Sequence, residues 1–302
     1  MTGRWRRGIV SVMTAGVVCL TAGLAARVTR AQNRERIFVA IEDKAGAPVV
    51  DLTASDFAVR IDTTDQEIVS VTRATTPLSV IVITDQLGAN STWSRFSDLR
   101  QSLAAFVGAL RRGSEDAKIA LMTFDRTPRV RATFDSGRAI LDREIERLTG
   151  TDGGSVLLDA VAEAAKAMLR APSARRVILN VYASYRADDS AMRTNEVGSL
   201  LSLSGASLWS LEAVGDLAAG GNFPSAQREM VVGEGGRLSG GTRVTVTSPD
   251  QLKPALDRLA ALILNQYEVV YGPAHGTRQS QRLVAVRREN VKVLAPVWVA
   301  RQ

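Results

Sequence analysis

The chain has 302 residues, is 45% hydrophobic and 23% charged, and contains one cysteine, Cys19, and one histidine, His275. This composition is typical of a globular protein, and a single residue of each kind excludes a disulfide framework and a zinc site built from several Cys and His. The formal net charge of +7 comes mostly from five arginines in the first 31 residues; the remainder has 33 basic and 31 acidic residues, so we expect no nucleic-acid partner.

The first 31 residues predict a signal peptide. A basic run, RWRR (4–7), precedes an uncharged stretch at 8–26, and Thr29 and Ala31 place small residues where a signal peptidase prefers them. We expect cleavage after Ala31 and an exported protein, periplasmic or extracellular. An uncleaved membrane anchor formed by 8–26 remains open as an alternative, because 19 uncharged residues nearly span a bilayer.

Residues 32–76 are predicted to form an N-terminal β segment. Alternating hydrophobic patterns at 35–43, 56–62 and 66–74 indicate three strands separated by turn residues. Three strands of this length bury too little apolar surface to be stable alone. The segment therefore needs a second layer to pack against.

Residues 77–266 are predicted to form the main domain. The run LSVIVITD (78–85) is continuously apolar, as expected of a strand buried on both faces. Strand and helix patterns then alternate in the order helix 95–112, strands 117–125 and 128–134, helices 137–148 and 155–170, strand 175–183, helix 190–203 and strand 206–214. This alternation predicts an α/β fold with a doubly wound, mostly parallel sheet and helices on both faces.

The second half of that domain contains a glycine-rich stretch. We expect Trp209 in the core and an irregular, turn-like segment through Gly233–Gly241, because no phosphate-binding glycine motif is present there. An edge strand at 242–247 and a helix at 249–266 follow. Residues 267–302 are again strand-like, and we expect them to pair with the strands of 32–76 in one small β-layer beside the main domain.

These segments resemble a known family. The stretch VAIEDKAGAPVVDLTASDFAVRIDTTDQEIVSV (39–71) is similar to the segment that precedes a von Willebrand factor type A (VWA) domain in a family of secreted bacterial proteins first catalogued in acidobacteria. VIVITD (80–85), GGSVLLDAV (153–161), RRVILNVYAS (175–184) and LSGGTRV (238–244) then follow in the order found in VWA domains. The resemblance covers nearly the whole mature chain and implies a VWA-like domain.

The resemblance also implies where a divalent ion would bind in a VWA domain. The family's metal site uses a D-x-S-x-S loop, a distant Thr and a distant Asp, because a hard cation requires oxygen ligands. Here Asp85 keeps the first position and Ser155 stands for the threonine. Leu87, Ala89 and Ala183 supply no side-chain oxygen at the other three positions. We therefore expect no bound metal, and interpret Asp85 as a residue that bonds loop backbone or caps the next helix, and Ser155 as a helix N-cap.

A shifted loop could still rebuild a metal site. Ser91 or Thr92 lies in the loop after Asp85, and Asp188 and Asp189 lie beyond the strand at 175–183. These side chains are the sources of oxygen ligands that would make the protein a metal-dependent adhesion module with an atypical ligand set, and this alternative remains open.

The resemblance predicts a non-enzymatic protein-binding or scaffolding role. Ligands of open α/β folds bind at the carboxyl ends of the strands, so the predicted contact residues are Asp85, Trp93, Ser155 and Ser184. We expect another protein as partner, no cofactor and no catalytic residue. A hydrolase on a doubly wound fold is the third alternative, but no nucleophile–base pair or phosphate loop is visible in the sequence.

Overall fold

The structure is a computed structural model. It describes residues 34–86, 96–151, 154–183, 188–214, 226–272 and 280–299. The strands are β1 (Glu35–Asp43), β2 (Phe57–Ile61), β3 (Thr64–Arg73), β4 (Leu78–Asp85), β5 (Lys118–Phe124), β6 (Pro128–Ala132), β7 (Arg175–Ala183), β8 (Ser207–Ala213), β9 (Arg243–Val246), β10 (Tyr267–Gly272), β11 (Arg282–Val286) and β12 (Val291–Leu294).

The described helices include four regular ones before the glycine-rich stretch and two elements after β8. They are α1 (Phe96–Gly113), α2 (Arg138–Glu146), α3 (Leu157–Met168), α4 (Thr194–Ser204), α5, which joins three consecutive helical stretches (Ala226–Arg228, Glu229–Gly235 and Gly236–Leu238), and α6 (Leu252–Leu264). The middle stretch of α5 is a π-helix.

The main sheet has the strand order β6-β5-β4-β7-β8-β9. All neighbours pair in parallel except β6, which runs antiparallel to β5 at one edge. Every residue of the central strands β4 and β7 is buried except the half-buried Arg176, because helices cover both faces. The predicted doubly wound α/β sheet is confirmed.

Helices pack on the two faces of this sheet in two apolar clusters. Helices α1, α2 and α6 cover one face, where Leu103 and Leu256 pack with Val82 and Trp209, and the predicted core position of Trp209 is confirmed by its complete burial. Helices α3, α4 and α5 cover the other face, with residues such as Val232 in the cluster. Successive residues of a strand point to opposite faces, so each sheet strand contributes to both clusters.

A second six-stranded sheet joins the two ends of the described chain. Its order is β11-β2-β3-β10-β1-β12, and every pair is antiparallel. Strand β10, from the C-terminal segment, lies between β1 and β3 of the N-terminal segment and pairs with both. The predicted β-layer built from both segments is confirmed, since neither segment has enough strands to bury an apolar face alone.

Two arginine side chains connect this sheet with the main domain: Arg175 is buried and Arg258 is partly exposed. Arg175, at the start of β7, is 2% exposed and donates hydrogen bonds to Gln266 Oε1 at 3.0 Å and to the Ala74 carbonyl at 3.1 Å. Burial lowers the pKa of Arg175 to about 10, so its guanidinium remains charged at neutral pH. Arg258 of α6 donates to the buried carboxylate of Glu42 in β1 at 3.0 Å.

The glycine-rich stretch differs from its prediction. Residues 226–238 form α5, whereas an irregular, turn-like segment was expected through Gly233–Gly241, and this expectation was wrong for its helical part. Val231 and Val232 are buried against the sheet, and this packing overrides the low helix propensity of the glycines. The expected turn survives at Gly240, with φ at +86°, and Gly241, where a side-chain carbon would lie 1.9 Å from the Leu208 carbonyl oxygen.

The predicted signal peptide lies outside the described residues. Among the residues that are described, no helix is both long enough and apolar enough to cross a membrane.

Candidate functional site

The candidate site lies at the carboxyl end of the main sheet, between β4 and β7. These neighbouring strands mark the point where the strand order reverses, and the chain leaves them towards helices on opposite faces. A crevice forms at such a switch point, and open α/β folds bind ligands there. Asp85 ends β4, Ala183 ends β7, and Ser155 lies just before α3.

Backbone hydrogen bonds join the loops around this crevice. The amide of Val156 donates to the Asp125 carbonyl at 3.1 Å, and the amide of Asp189 donates to the Ser155 carbonyl at 2.8 Å. The carboxylate of Asp159, in the first turn of α3, accepts hydrogen bonds from the Met192 amide at 2.8 Å and from the Ala191 amide at 3.2 Å. The segment after β7 is therefore held against the start of α3.

A buried arginine occupies the centre of the site. Arg228 of α5 is 1% exposed. Its Nε donates to Asp188 Oδ2 at 2.8 Å, one terminal nitrogen donates to Ser155 Oγ at 2.6 Å, and the other donates to the Ala183 carbonyl at 3.3 Å. The guanidinium thus binds the loop before α3, the end of β7 and the loop after β7 at once.

Asp188 balances the charge of this arginine. The Asp188 side chain is also 1% exposed, and its second oxygen accepts a hydrogen bond from the Ser190 amide at 3.0 Å. Two buried charges cost several kcal/mol each in lost hydration, and only a close, fully hydrogen-bonded partner offsets this cost. The arrangement around Arg228 meets that condition.

Tyr182 and Asp85 lie on the same side of the sheet as Arg228. The Arg228 guanidinium carbon is 6.0 Å from the centre of the Tyr182 ring, within range of a cation–π contact. Burial, with the nearby charge of Glu212, raises the pKa of Tyr182, which keeps the phenol neutral. Thr84 pairs with Val181, so the next position, Asp85, lies opposite Tyr182. Asp85 is 1% exposed.

Asp125 provides a second carboxylate at this edge. It follows β5, and its Oδ1 accepts hydrogen bonds from the amides of Arg126 at 2.5 Å and Thr127 at 3.2 Å, while Oδ2 accepts one from Arg129 at 2.9 Å. Burial opposes ionisation of this carboxyl, but the amide donors and the Arg129 charge outweigh it. The pKa of Asp125 therefore lies below its ordinary value.

The structure agrees with the predicted position of Asp85 but not with the predicted helix-capping role of Ser155. Asp85 lies at the end of β4 as predicted, and its predicted bonds to the following loop involve residues outside the described part of the chain. The prediction of Ser155 as an N-cap was wrong: α3 begins at Leu157 with Val156 as its N-cap residue. The Ser155 hydroxyl instead accepts a hydrogen bond from Arg228 at 2.6 Å.

Other residues of the predicted site lie in parts of the chain that the structure does not describe. Trp93 and Ser184 lie outside the described residues, as do Leu87 and Ala89. Their predicted roles stay predictions.

Arg228 is a site residue that the sequence pattern did not predict. It lies three and four residues before the buried Val231 and Val232, so it belongs to the apolar face of α5. A charged residue on an apolar helix face is a signal for a buried ion pair or a site. That signal was hidden because the glycines after it predicted no helix.

The oxygen atoms at this site fit a guanidinium better than a divalent ion. Ser155 and Asp188, which a metal ion would need as ligands, are both bonded to Arg228, and the Ala183 side chain has no oxygen. A second cation at these oxygens would meet the guanidinium charge with little water between them, which is strongly unfavourable. Within the described part of the chain, no group of three or more His, Cys, Asp or Glu is placed to hold a metal ion.

The fold and the position of these loops define an open α/β domain with its ligand edge at the carboxyl ends of the strands. Residues 84–182 match the family model of the von Willebrand factor type A domain. The match covers about a third of the chain, and over these residues the chain is similar to a VWA domain. Domains of this family generally mediate contacts between proteins.

Several solved structures are similar to this one. A von Willebrand factor type A protein from Catenulispora acidiphila is 12% identical, over 89% of this chain and 75% of that chain, with a TM-score of 0.45. The vWF domain of the type V pili tip protein Mfa5 from Porphyromonas gingivalis is 15% identical, over 62% and 95% of the two chains, with a TM-score of 0.46.

A third similar structure is proximal thread matrix protein 1 from the mussel byssus, in which zinc occupies the MIDAS motif, the metal-ion-dependent adhesion site. It is 14% identical over 68% of this chain, with a TM-score of 0.49, and this chain spans 50% of its length. A sequence comparison with curated proteins gave no significant match. At these identities the similarities assign no ligand to this chain.

Proposed function

We propose that the protein is an exported, non-enzymatic binding protein whose VWA domain holds another protein at the carboxyl edge of its main sheet, without a divalent ion. Its proposed organisation is a signal peptide (1–31), a β segment (32–76), the VWA-like domain (77–266) and a C-terminal β segment (267–302). The loops after β4, before α3 and after β7 form the contact surface.

One observation supports metal-independent binding above the others. The residue that ends β7, where the family's metal site has an aspartate, is the fully buried Ala183. Its methyl group cannot coordinate an ion, and the neighbouring hydroxyl of Ser155 is already bonded to Arg228. Mg²⁺ gives up its water only to a shell of several well-placed oxygens, which this combination does not provide.

A pull-down tests this function. Immobilised residues 32–302 are incubated with a native envelope extract, with and without EDTA, and the retained proteins are identified by mass spectrometry. We expect the same partner to be retained under both conditions. Retention that EDTA abolishes would contradict the proposal and favour the metal-dependent adhesion module.

Two variants show whether the proposed loops make the contact. Trp93→Ala, in the loop after β4, should weaken retention at least tenfold, because aromatic side chains contribute strongly at binding surfaces. Leu169→Ala is the matched control: Leu169 is 42% exposed and follows α3 at the opposite end of the domain. Equal retention by the two variants would place the contact elsewhere.

Export has its own test. Expression in a secreting host should give a protein beyond the inner membrane with Gln32 at its amino terminus. An intact amino terminus in the membrane fraction would instead support an anchor formed by 8–26.

A further inference from the structure

We propose that the Arg228 guanidinium is a built-in cation that takes the place of the divalent ion in this VWA domain. The inference rests on the proposed function and concerns its regulation. The positive charge at the site is a permanent part of the chain, so binding does not depend on the metal concentration.

The first argument is the chemistry of the atoms around Arg228. A carboxylate oxygen of Asp188, the hydroxyl of Ser155 and the carbonyl of Ala183 converge on the guanidinium at 2.8, 2.6 and 3.3 Å. Carboxylate, hydroxyl and carbonyl oxygens are the ligands that hard cations take in proteins. The environment is therefore that of a cation site, and the cation in it is a side chain.

The second argument is position. Ser155 and Ala183 stand at two of the five places where the family's metal ligands lie, and Arg228 bonds to both residues. Arg228 also lies over the ring of Tyr182, the strand neighbour of Asp85. The guanidinium thus contacts the residues that would surround an ion, from inside the crevice.

The third argument is charge. The guanidinium carries one positive charge and is paired with one buried carboxylate, Asp188, at 2.8 Å. The family's ligand set has two aspartates; Asp85 keeps the position of one of them, and the Ala183 side chain cannot supply the other. The absence of an acidic side chain at position 183 and the presence of Arg228 are therefore complementary in charge.

The fourth argument is how α5 presents the arginine. Arg228 ends the first stretch of α5 and is followed at once by the π-helical turn Glu229–Gly235. A π-turn inserts one extra residue into a helix and re-aims the side chains around it. Val231 and Val232 anchor the same turn in the core, so the guanidinium is held in place by packing as well as by hydrogen bonds.

Rebuilding the metal site tests the proposal. Leu87→Ser, Ala89→Ser and Ala183→Asp together restore the family's ligand set around Asp85 and Ser155. We expect this triple variant to show no Mn²⁺ binding by calorimetric titration, since the new carboxylate pairs with Arg228. Adding Arg228→Ala should create one Mn²⁺ site and a rise in Tm of about 5–10 °C at 100 times the Kd.

The matched control adds Arg243→Ala to the same triple variant. Arg243 lies on the edge strand β9 and pairs with Glu212 at 3.6 Å and with Glu229, but no hydrogen bond or ion pair joins it to Ser155 or Ala183. This control should gain no Mn²⁺ site. The proposal is overturned if the triple variant alone binds Mn²⁺ as tightly as the variant that lacks Arg228, or if removal of Arg228 creates no site in a folded protein.

A measurement on the unmutated protein covers the case in which the variants do not fold. The Arg228 Nε–H, assigned by through-bond correlations to its own backbone amide, should exchange slowly with water and should keep its NMR shift in 10 mM Mg²⁺. A shift or accelerated exchange on adding Mg²⁺ would mean that the ion competes for these oxygens and would overturn the proposal. Neither measurement depends on the partner, so their failure is distinguishable from failure of the pull-down.

Discussion

Removing the charge of Asp188 should destabilise the protein strongly. Asp188→Asn keeps the shape of the side chain but leaves the Arg228 guanidinium buried without its counter-charge; both side chains are 1% exposed and their atoms are 2.8 Å apart. With charge centres about 4 Å apart, the attraction is about 4 kcal/mol at an effective dielectric constant of 20. Measured losses for breaking one partner of a buried pair, about 3–5 kcal/mol, agree with this value.

Urea unfolding followed by circular dichroism measures the effect. We expect a loss of about 3–5 kcal/mol in the free energy of unfolding and a fall in Tm of about 6–20 °C. Glu234→Gln is the control on the same helix, because Glu234 and Arg237 form an ion pair whose side chains are 52% and 63% exposed. That exposed pair should contribute less than about 1 kcal/mol.

A double variant separates the loss of the Arg228–Asp188 attraction from other effects of each substitution on stability. Arg228→Met with Asp188→Asn removes the orphaned charge, so it should be more stable than the sum of the two single losses predicts. If Asp188→Asn costs no more than Glu234→Gln, or if the two losses add without coupling, the pair does not hold the site as argued above.

Three other changes test separate parts of the fold. Gly241→Ala should lower the free energy of unfolding by about 3 kcal/mol or more, because the new side-chain carbon would lie 1.9 Å from a carbonyl oxygen. Gly198→Ala, which has open space around it in α4, should instead stabilise the protein by about 0.5–1 kcal/mol. Deleting 267–302 removes β10 from between β1 and β3, so limited proteolysis should cut those strands early; unchanged protection would contradict the shared sheet. The pKa of Asp125 is lower in the folded protein than in the unfolded chain, so its ionised form stabilises the fold above about pH 4, and this contribution is lost as pH falls through the folded-state pKa. In urea titrations, the difference in unfolding free energy between the unmutated protein and Asp125→Asn should be large at pH 7 and small at pH 3. A difference that does not change with pH would refute the assignment.

Hydrophobic pattern alone determined most of the architecture. The predicted strands 78–85 and 175–183 match β4 and β7 residue for residue, because a strand buried on both faces has a mostly apolar sequence. The alternating patterns of the two terminal segments likewise predicted strands, and their shortage of apolar surface predicted that they would share a sheet. These inferences depend on local periodicity and on how much surface an element can bury, which the sequence carries directly.

The centre of the candidate site was decided by tertiary structure. Helix α5 forms because the main sheet buries Val231 and Val232, although glycines and the absence of a regular pattern predicted no helix there. Only after that packing does Arg228 reach Ser155, which lies 73 positions earlier in the chain, and Asp188, which lies 40 positions earlier. The sequence determined that the side chain of Ala183 could not coordinate an ion. That a guanidinium bonds to the carbonyl of the same residue depends on contacts between distant segments, which no local pattern records.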